Sequence, residues 1–141
     1  MSKLHQLHLL QWFLLLSSAE LFGLSRGDVG TAAQYSPPYL PTACYGNNVG
    51  KIPVDNYFAS AGKGIWDNGA SCGRQYRVRC LSALAKGTCT GTTIHLKIVD
   101  RSSTSVSHPS FDGTTMVLSE SAFKAIANIS AKEINIEYQQ I

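Results

Sequence analysis

The chain has 141 residues, enough for one ordinary domain and hardly for two. Its formal charge of +3 is weak, and no run of lysines and arginines tracks a nucleic-acid backbone, so a nucleic-acid partner is excluded from the expectation. Four cysteines and a Gly-, Ser- and Thr-rich composition point instead to a small cross-linked domain.

The first segment is read apart from that domain. Met1–His8 is polar and slightly basic through Lys3, Leu9–Leu16 is a compact apolar run, and Ser17, Ser18 and Ala19 are small. That order reads as a secretory signal over residues 1–25, with cleavage expected between about 19 and 27. The apolar run falls short of the ~20 residues that span a bilayer. No second run of membrane length comes after it, so a protein without membrane insertion, secreted and monomeric, is expected. In an oxidising compartment Cys44, Cys72, Cys80 and Cys89 are expected to form two disulfides, and four cysteines allow three pairings. No two of them have the close spacing typical of a structural zinc site, so neither a metal nor any other cofactor is expected.

From about Thr31 the composition is that of β-structure. Ser36–Pro41 is extended and proline-blocked. Tyr45–Gly50 has the glycines and asparagines of a loop, and Asp67-Asn68-Gly69 suits a tight hairpin turn. Gln75–Cys80 alternates, with Tyr76, Val78 and Cys80 opposite Gln75, Arg77 and Arg79; Thr92–Val99 and Glu133–Tyr138 do the same. Each predicts a half-buried strand, and Met116–Leu118 predicts a short apolar one. One helix is expected, over Glu120–Ala127. Ser119 caps it, Glu120 meets the helix dipole, and Leu118 packs on Phe123. Phe123, Ile126 and Ala127 then face the core. Many short strands and no βαβ rhythm argue for a small closed barrel.

Thr42-Ala-Cys-Tyr-Gly46, Ile65–Arg74, Tyr76–Cys80, Ile98-Val-Asp100 and Leu118-Ser119 with Ala122-Phe123 together resemble the amino-terminal domain of expansins. The chain looks closest to the short natriuretic peptide-like, or endoglucanase-like domain, proteins of plants. The resemblance runs over residues 29–141 and implies an all-β fold, a six-stranded double-psi β-barrel with one short helix. It also implies the pairings Cys44–Cys72 and Cys80–Cys89. Two departures stand out. The loop Arg101–Gly113 lacks the further cysteine pair of many relatives and is expected to be less constrained. The chain ends where expansins begin a second, cellulose-binding domain, so that domain is expected to be absent.

Inverting glycosidases place two carboxyl groups across the scissile bond. Asp100 matches one acidic position of the family. The other belongs to a His-Phe-Asp motif, which falls here on Thr115, Met116 and Val117. Valine can neither give nor accept a proton, so no catalytic residue and no hydrolase activity are expected. Asp112, preceded by Phe111, stands too early to replace it. Asp100 is then either a polar contact in a binding groove or a strand-end aspartate held by backbone N–H groups. His95 alternates outward and is expected on the surface, and nothing near His108 completes a Ser-His-Asp set.

Binding candidates are Tyr35, Tyr39, Tyr45, Tyr57 and Trp66, whose ring faces can stack on sugars or fill the core. Arg77 and Arg79, with Arg74 nearby, are candidates for an acidic polysaccharide or a protein partner. Asn128-Ile-Ser130 is a candidate N-glycosylation site. The resemblance implies a secreted, non-enzymatic protein of the apoplast with a role in water and solute homeostasis. Its partner would be a cell-surface receptor, with activity associated with Pro37–Gly73. A wall-polysaccharide-binding or wall-loosening module is the alternative.

Overall fold

A computed structural model describes residues 27–141; the expected secretory signal lies outside the described residues. The strands are β1 (Asp28–Tyr35), β2 (Phe58–Ala61), β3 (Gln75–Ser82), β4 (Thr93–Arg101), β5 (Met116–Ser119) and β6 (Ile134–Gln140), with one helix, α1 (Glu120–Ile126). They close into a barrel in the order β1-β5-β2-β4-β3-β6. β1 runs parallel to β5 and β2 parallel to β4, and the other neighbours are antiparallel. This is the expected six-stranded double-psi barrel, with a single short α-helix among the described residues.

Strong periodicity locates the later strands to within a few residues. β3 buries Tyr76, Val78 and Cys80 and exposes Gln75, Arg77 and Arg79. β4 buries Ile94, Leu96 and Ile98, and β6 buries Ile134 and Ile136. α1 starts as its sequence dictates: the Ser119 hydroxyl accepts from the Ala122 N–H at 3.2 Å, and Ala122, Phe123 and Ile126 turn inward. The Asp67-Asn68-Gly69 turn exists but is not a hairpin. It is a single 3-10 turn on the long connection between β2 and β3, with all three residues at positive φ.

Two apolar clusters occupy the two faces of the barrel wall. The interior holds Ala32, Ala59, Leu96, Ile98, Met116, Leu118, Phe123 and Ile136 among others. Alternation sends the neighbouring side chains of β1, β2, β4 and β5 outward, where Ala33, Tyr35, Phe58, Val99 and Val117 form a second buried cluster. An outer barrel face normally meets water. Here it is covered by the connection between β1 and β2, through Tyr39, Tyr45 and Ile52.

The cover is fastened at both ends of one disulfide, Cys44–Cys72, with Cα atoms 5.5 Å apart. The Cys44 N–H donates to the Val99 carbonyl at 3.2 Å, and the Gly73 N–H donates to the Ile98 carbonyl at 2.8 Å. Gly73 has φ +84°, and the Tyr45 hydroxyl would lie 2.9 Å from a Cβ placed there, so a side chain is barred both by conformation and by space. The second disulfide, Cys80–Cys89, has Cα atoms 5.3 Å apart and joins the end of β3 to the connection before β4.

The loop after β4 is organised without a cysteine pair. Ser107 is buried; its hydroxyl donates to the Arg101 carbonyl at 2.7 Å and lies 2.9 Å from the Thr104 hydroxyl. Further along, the Ser110 hydroxyl accepts from the Gln34 N–H and donates to the Lys132 carbonyl. Side-chain hydroxyls thus do locally what a cross-link does in a disulfide-bearing loop.

Candidate functional site

Strict alternation along β4 would put Asp100 on the interior face with Ile94, Leu96 and Ile98. The pairing with β2 breaks that rhythm: Ala59 faces Ile98, but Ser60 faces Asp100. Val99 is therefore the extra residue of a β-bulge, and the bulge re-aims the side chain after it. Asp100 is turned toward the cover, where its Oδ1 accepts from the Ala43 N–H and from the Arg101 N–H, both at 2.8 Å. It is fully buried. Burial raises its pKa, and the two N–H groups and the Arg101 charge offset part of that rise. Of the two sequence readings of Asp100, the strand-end aspartate held by backbone donors describes its contacts.

Val117 lies beside this carboxyl's neighbours, paired across the wall with Ala33 on β1 and Ser60 on β2. It is 1% exposed. Around it three polar atoms are buried with no hydrogen-bond partner: the Tyr35 hydroxyl, Ser60 Oγ and Asp100 Oδ2. Two hydroxyls and a carboxylate oxygen buried without partners are uncommon. A carboxylate at position 117 could accept from the two hydroxyls, whereas valine accepts nothing. Burial pushes the Tyr35 hydroxyl well above the usual phenol range, so it stays a neutral donor. Asp112 and Phe111 are exposed on the loop before β5, and Asp112 is not part of this cluster.

The aromatic candidates do not form one platform. Tyr35 is 2% exposed and packs edge-on against Tyr39 and Phe58. Tyr39 packs edge-on against Phe58; its hydroxyl donates to the Tyr35 carbonyl and accepts from the Glu120 N–H. These two rings brace the cover against the helix start. Tyr45 lies under the ammonium groups of Lys97 and Lys51, 4.8 and 5.8 Å from its centroid. Tyr57 packs on the interior cluster.

Trp66 is the exception. It edges an open cavity of about 580 Å³ together with Lys63, Arg74, Tyr76 and Tyr138. The Arg101 guanidinium lies 5.9 Å from its ring centroid, and Tyr76 and Tyr138 pack edge to face at 5.8 Å. Alternation along β6 predicts an inward Tyr138; the residue does pack on the interior cluster, but it is half-exposed and also lines this cavity. No signal in the sequence marks it as a binding residue, because only closure of the barrel brings β6 beside the Trp66 turn.

The arginines separate in the same way. Arg74 is held by Asp67 at 2.6 Å and Arg79 by Glu137 at 3.0 Å; Arg77 is exposed and in neither pair. His95 is exposed on β4, as expected, and His108 is exposed in its loop. Asn128 is exposed after α1, and its Oδ1 accepts from the Ser130 N–H and hydroxyl at 3.0 and 2.9 Å. Among the described residues, no group of three His, Cys, Asp or Glu side chains could hold a metal ion. No described helix is long and apolar enough to cross a membrane.

Comparison with known proteins agrees with this architecture. The DPBB_1 family model, described as lytic transglycolase, matches residues 59–138. An EG45-like domain containing protein of Citrus jambhiri is 40% identical over 114 residues, which cover 79% of each chain. EG45-like domain containing protein 2 of Arabidopsis thaliana is 37% identical over 114 residues, with 79% of each chain covered. Among solved structures, a mutant Clavibacter michiganensis expansin in complex with cellohexaose superposes with a TM-score of 0.57 at 21% identity. The match covers 80% of this chain and 49% of that expansin, so this chain spans about half its length, and the likeness is one of fold. The chain belongs to the EG45-like domain proteins, an expansin-like family built on the double-psi β-barrel.

Proposed function

We propose that this is a secreted protein of the cell-wall space that binds polysaccharide at the Trp66 cavity without hydrolysing it. The observation that carries the reading is the state of the acid positions. Asp100 is fully buried, and its would-be partner is Val117, so the two-carboxyl arrangement of an inverting hydrolase is not assembled. The Trp66 and Tyr138 rings at an open cavity remain as the surface on which a sugar can stack. The expansin with the same fold was crystallised with cellohexaose, which makes a β-linked glucan the first ligand to try.

Affinity electrophoresis in cellulose-derived and mixed-linkage glucan gels, with reducing-end release measured in parallel, tests this. The wild type should be retarded, Trp66→Ala should not be, and no reducing ends should appear. Hydrolysis that survives stringent purification and disappears with Asp100→Asn would sink the non-enzymatic part of the reading.

A second reading, signalling in water and solute homeostasis through residues 37–73, is favoured by a different observation. The part of that segment between β1 and β2 is an external cover held on the barrel by Cys44–Cys72, so a receptor could recognise it without reaching the cavity. Protoplast water-flux responses separate the two. Signalling requires loss of response in the Cys44→Ser, Cys72→Ser variant and retention in Trp66→Ala.

A further inference from the structure

The outer side of the β3–β4 ladder carries a row of cations that the Trp66 cavity does not use. The register sets it out: Arg77 stands opposite His95, and two residues along the same face Gln75 stands opposite Lys97. Such pairs are about 7 Å apart along a strand. Lys51, from the short 3-10 turn Val49–Lys51, extends the row. The Lys97 ammonium donates to the Lys51 carbonyl at 3.0 Å, and both ammonium groups lie within reach of the Tyr45 ring. Gly50, Lys51, Asp55, Tyr57, His95 and Lys97 line a groove of about 440 Å³ along this flank.

Two features make this more than a solvated face. Arg74 is paired with Asp67 and Arg79 with Glu137, whereas neither ion pair involves Lys51, Lys97 or Arg77. The groove also holds the Asp55 carboxylate, which accepts from the Tyr57 N–H at 2.9 Å and forms no ion pair with these lysines among the described residues. Two ammonium groups are thus gathered on one aromatic ring with no paired carboxylate among the described residues. Cation–π attraction holds them there, and their mutual repulsion is relieved when an anion arrives. Lys97 is moreover half-buried and pinned through the Lys51 carbonyl, so part of its ordering cost is already met before a ligand binds.

We propose that the Lys51–Lys97–Arg77 row is a binding site for an acidic, uronate-bearing polysaccharide. A narrow row of cations along one strand ladder fits a linear chain carrying carboxylates at intervals. A bilayer would instead need a broad basic face. The site lies on the barrel flank and is separate from the neutral-glucan cavity, although the choice of a polysaccharide rests on the wall-space reading above.

Binding to polygalacturonate, to the same polymer after methyl esterification, and to dextran sulfate as a sulfated polyanion without uronates tests the proposal, by biolayer interferometry across a salt series. The wild type should bind polygalacturonate, lose the interaction on esterification, and weaken steeply with salt as screened charges do. The Lys51→Gln, Lys97→Gln, Arg77→Gln variant should lose at least about tenfold in affinity. Lys51→Arg with Lys97→Arg should retain it. Lys86→Gln with Lys124→Gln, which removes two exposed cations elsewhere, should bind as the wild type does.

No binding to polygalacturonate at low salt, equal losses from the Lys86 and Lys124 substitutions, or undiminished binding after esterification would each overturn the site. Stronger binding to dextran sulfate than to polygalacturonate would overturn the uronate assignment. Trp66→Ala distinguishes the two proposals: it should abolish glucan binding and leave polygalacturonate binding intact.

Discussion

The two halves of β4 meet different surroundings. Thr93, His95 and Lys97 point outward and meet solvent or the edge of it, while Val99 and Asp100, two and three residues beyond Lys97, are fully buried. The first half meets the β1–β2 connection only at Lys97, and the second lies under it, fastened by the Cys44–Cys72 bridge. The same strand therefore supplies an accessible cation row and an inaccessible carboxyl. An outer-face residue becomes a core residue, rather than a ligand contact, when a cover is laid over it.

The largest effect should come from removing the fastening. Cys44→Ser with Cys72→Ser should lower unfolding free energy by about 2–4 kcal/mol, read by urea denaturation. With the cover loosened, Asp100 gains water, so its raised pKa should fall toward the ordinary carboxyl value in NMR titration. An unchanged Asp100 titration would show that tyrosine packing, not the bridge, holds the cover.

Next comes Val117→Asp. A carboxyl buried beside Asp100 should cost about 1–3 kcal/mol at neutral pH even with neighbouring hydroxyls to donate. The cost should shrink on acidification, since protonation removes the buried charge. No hydrolase activity should appear, because Thr115 and Met116 also depart from the acid-bearing motif. Equal stability at neutral and acid pH would show that the orphan hydroxyls fully solvate the new carboxylate.

A smaller effect is expected from Asp100→Asn. A carboxyl whose pKa is raised in the folded state binds its proton more tightly there than when unfolded. Stability therefore declines as pH rises from the unfolded value, about 4, through the folded one. Asparagine keeps an oxygen for the Ala43 and Arg101 N–H groups and carries no charge. Its melting temperature should match the wild type's in acid and exceed it increasingly toward neutrality. A variant less stable than the wild type at neutral pH would mean that the carboxylate is favourably held after all.

The smallest belongs to the exposed flank. Arg79→Gln, which breaks the pair with Glu137, should change stability by less than about 1 kcal/mol. By thermal melting it should be hard to distinguish from the wild type. A loss comparable to that of the disulfide variant would contradict the view that this exposed ion pair contributes little to stability.

Much of the molecule is legible from local pattern. Period-2 alternation places β3, β4 and β6 and faces Arg77 and Arg79 outward, because an interior of fixed polarity leaves such strands only one orientation. Ser119, Glu120 and Leu118 locate α1 through groups that act within one turn. The loss of the second acid is visible at Val117 itself. β1 and β2 are not legible as individual strands: Phe58-Ala-Ser-Ala61 is buried on both faces, so it has no alternation to read.

Contacts between distant segments settle the remainder. They make Tyr35 and Tyr39 braces rather than a platform, since the cover that buries them packs across strands far away in the chain. They turn Asp100 outward through an extra residue at Val99, which only the pairing with β2 reveals. They bring Tyr138 beside Trp66, and Lys51 beside Lys97 and Tyr45, across gaps that no local pattern spans. Local periodicity reports which face of a strand is apolar. Which faces are then covered, and which charges are left without partners, depends on how the barrel closes and where its connections are laid.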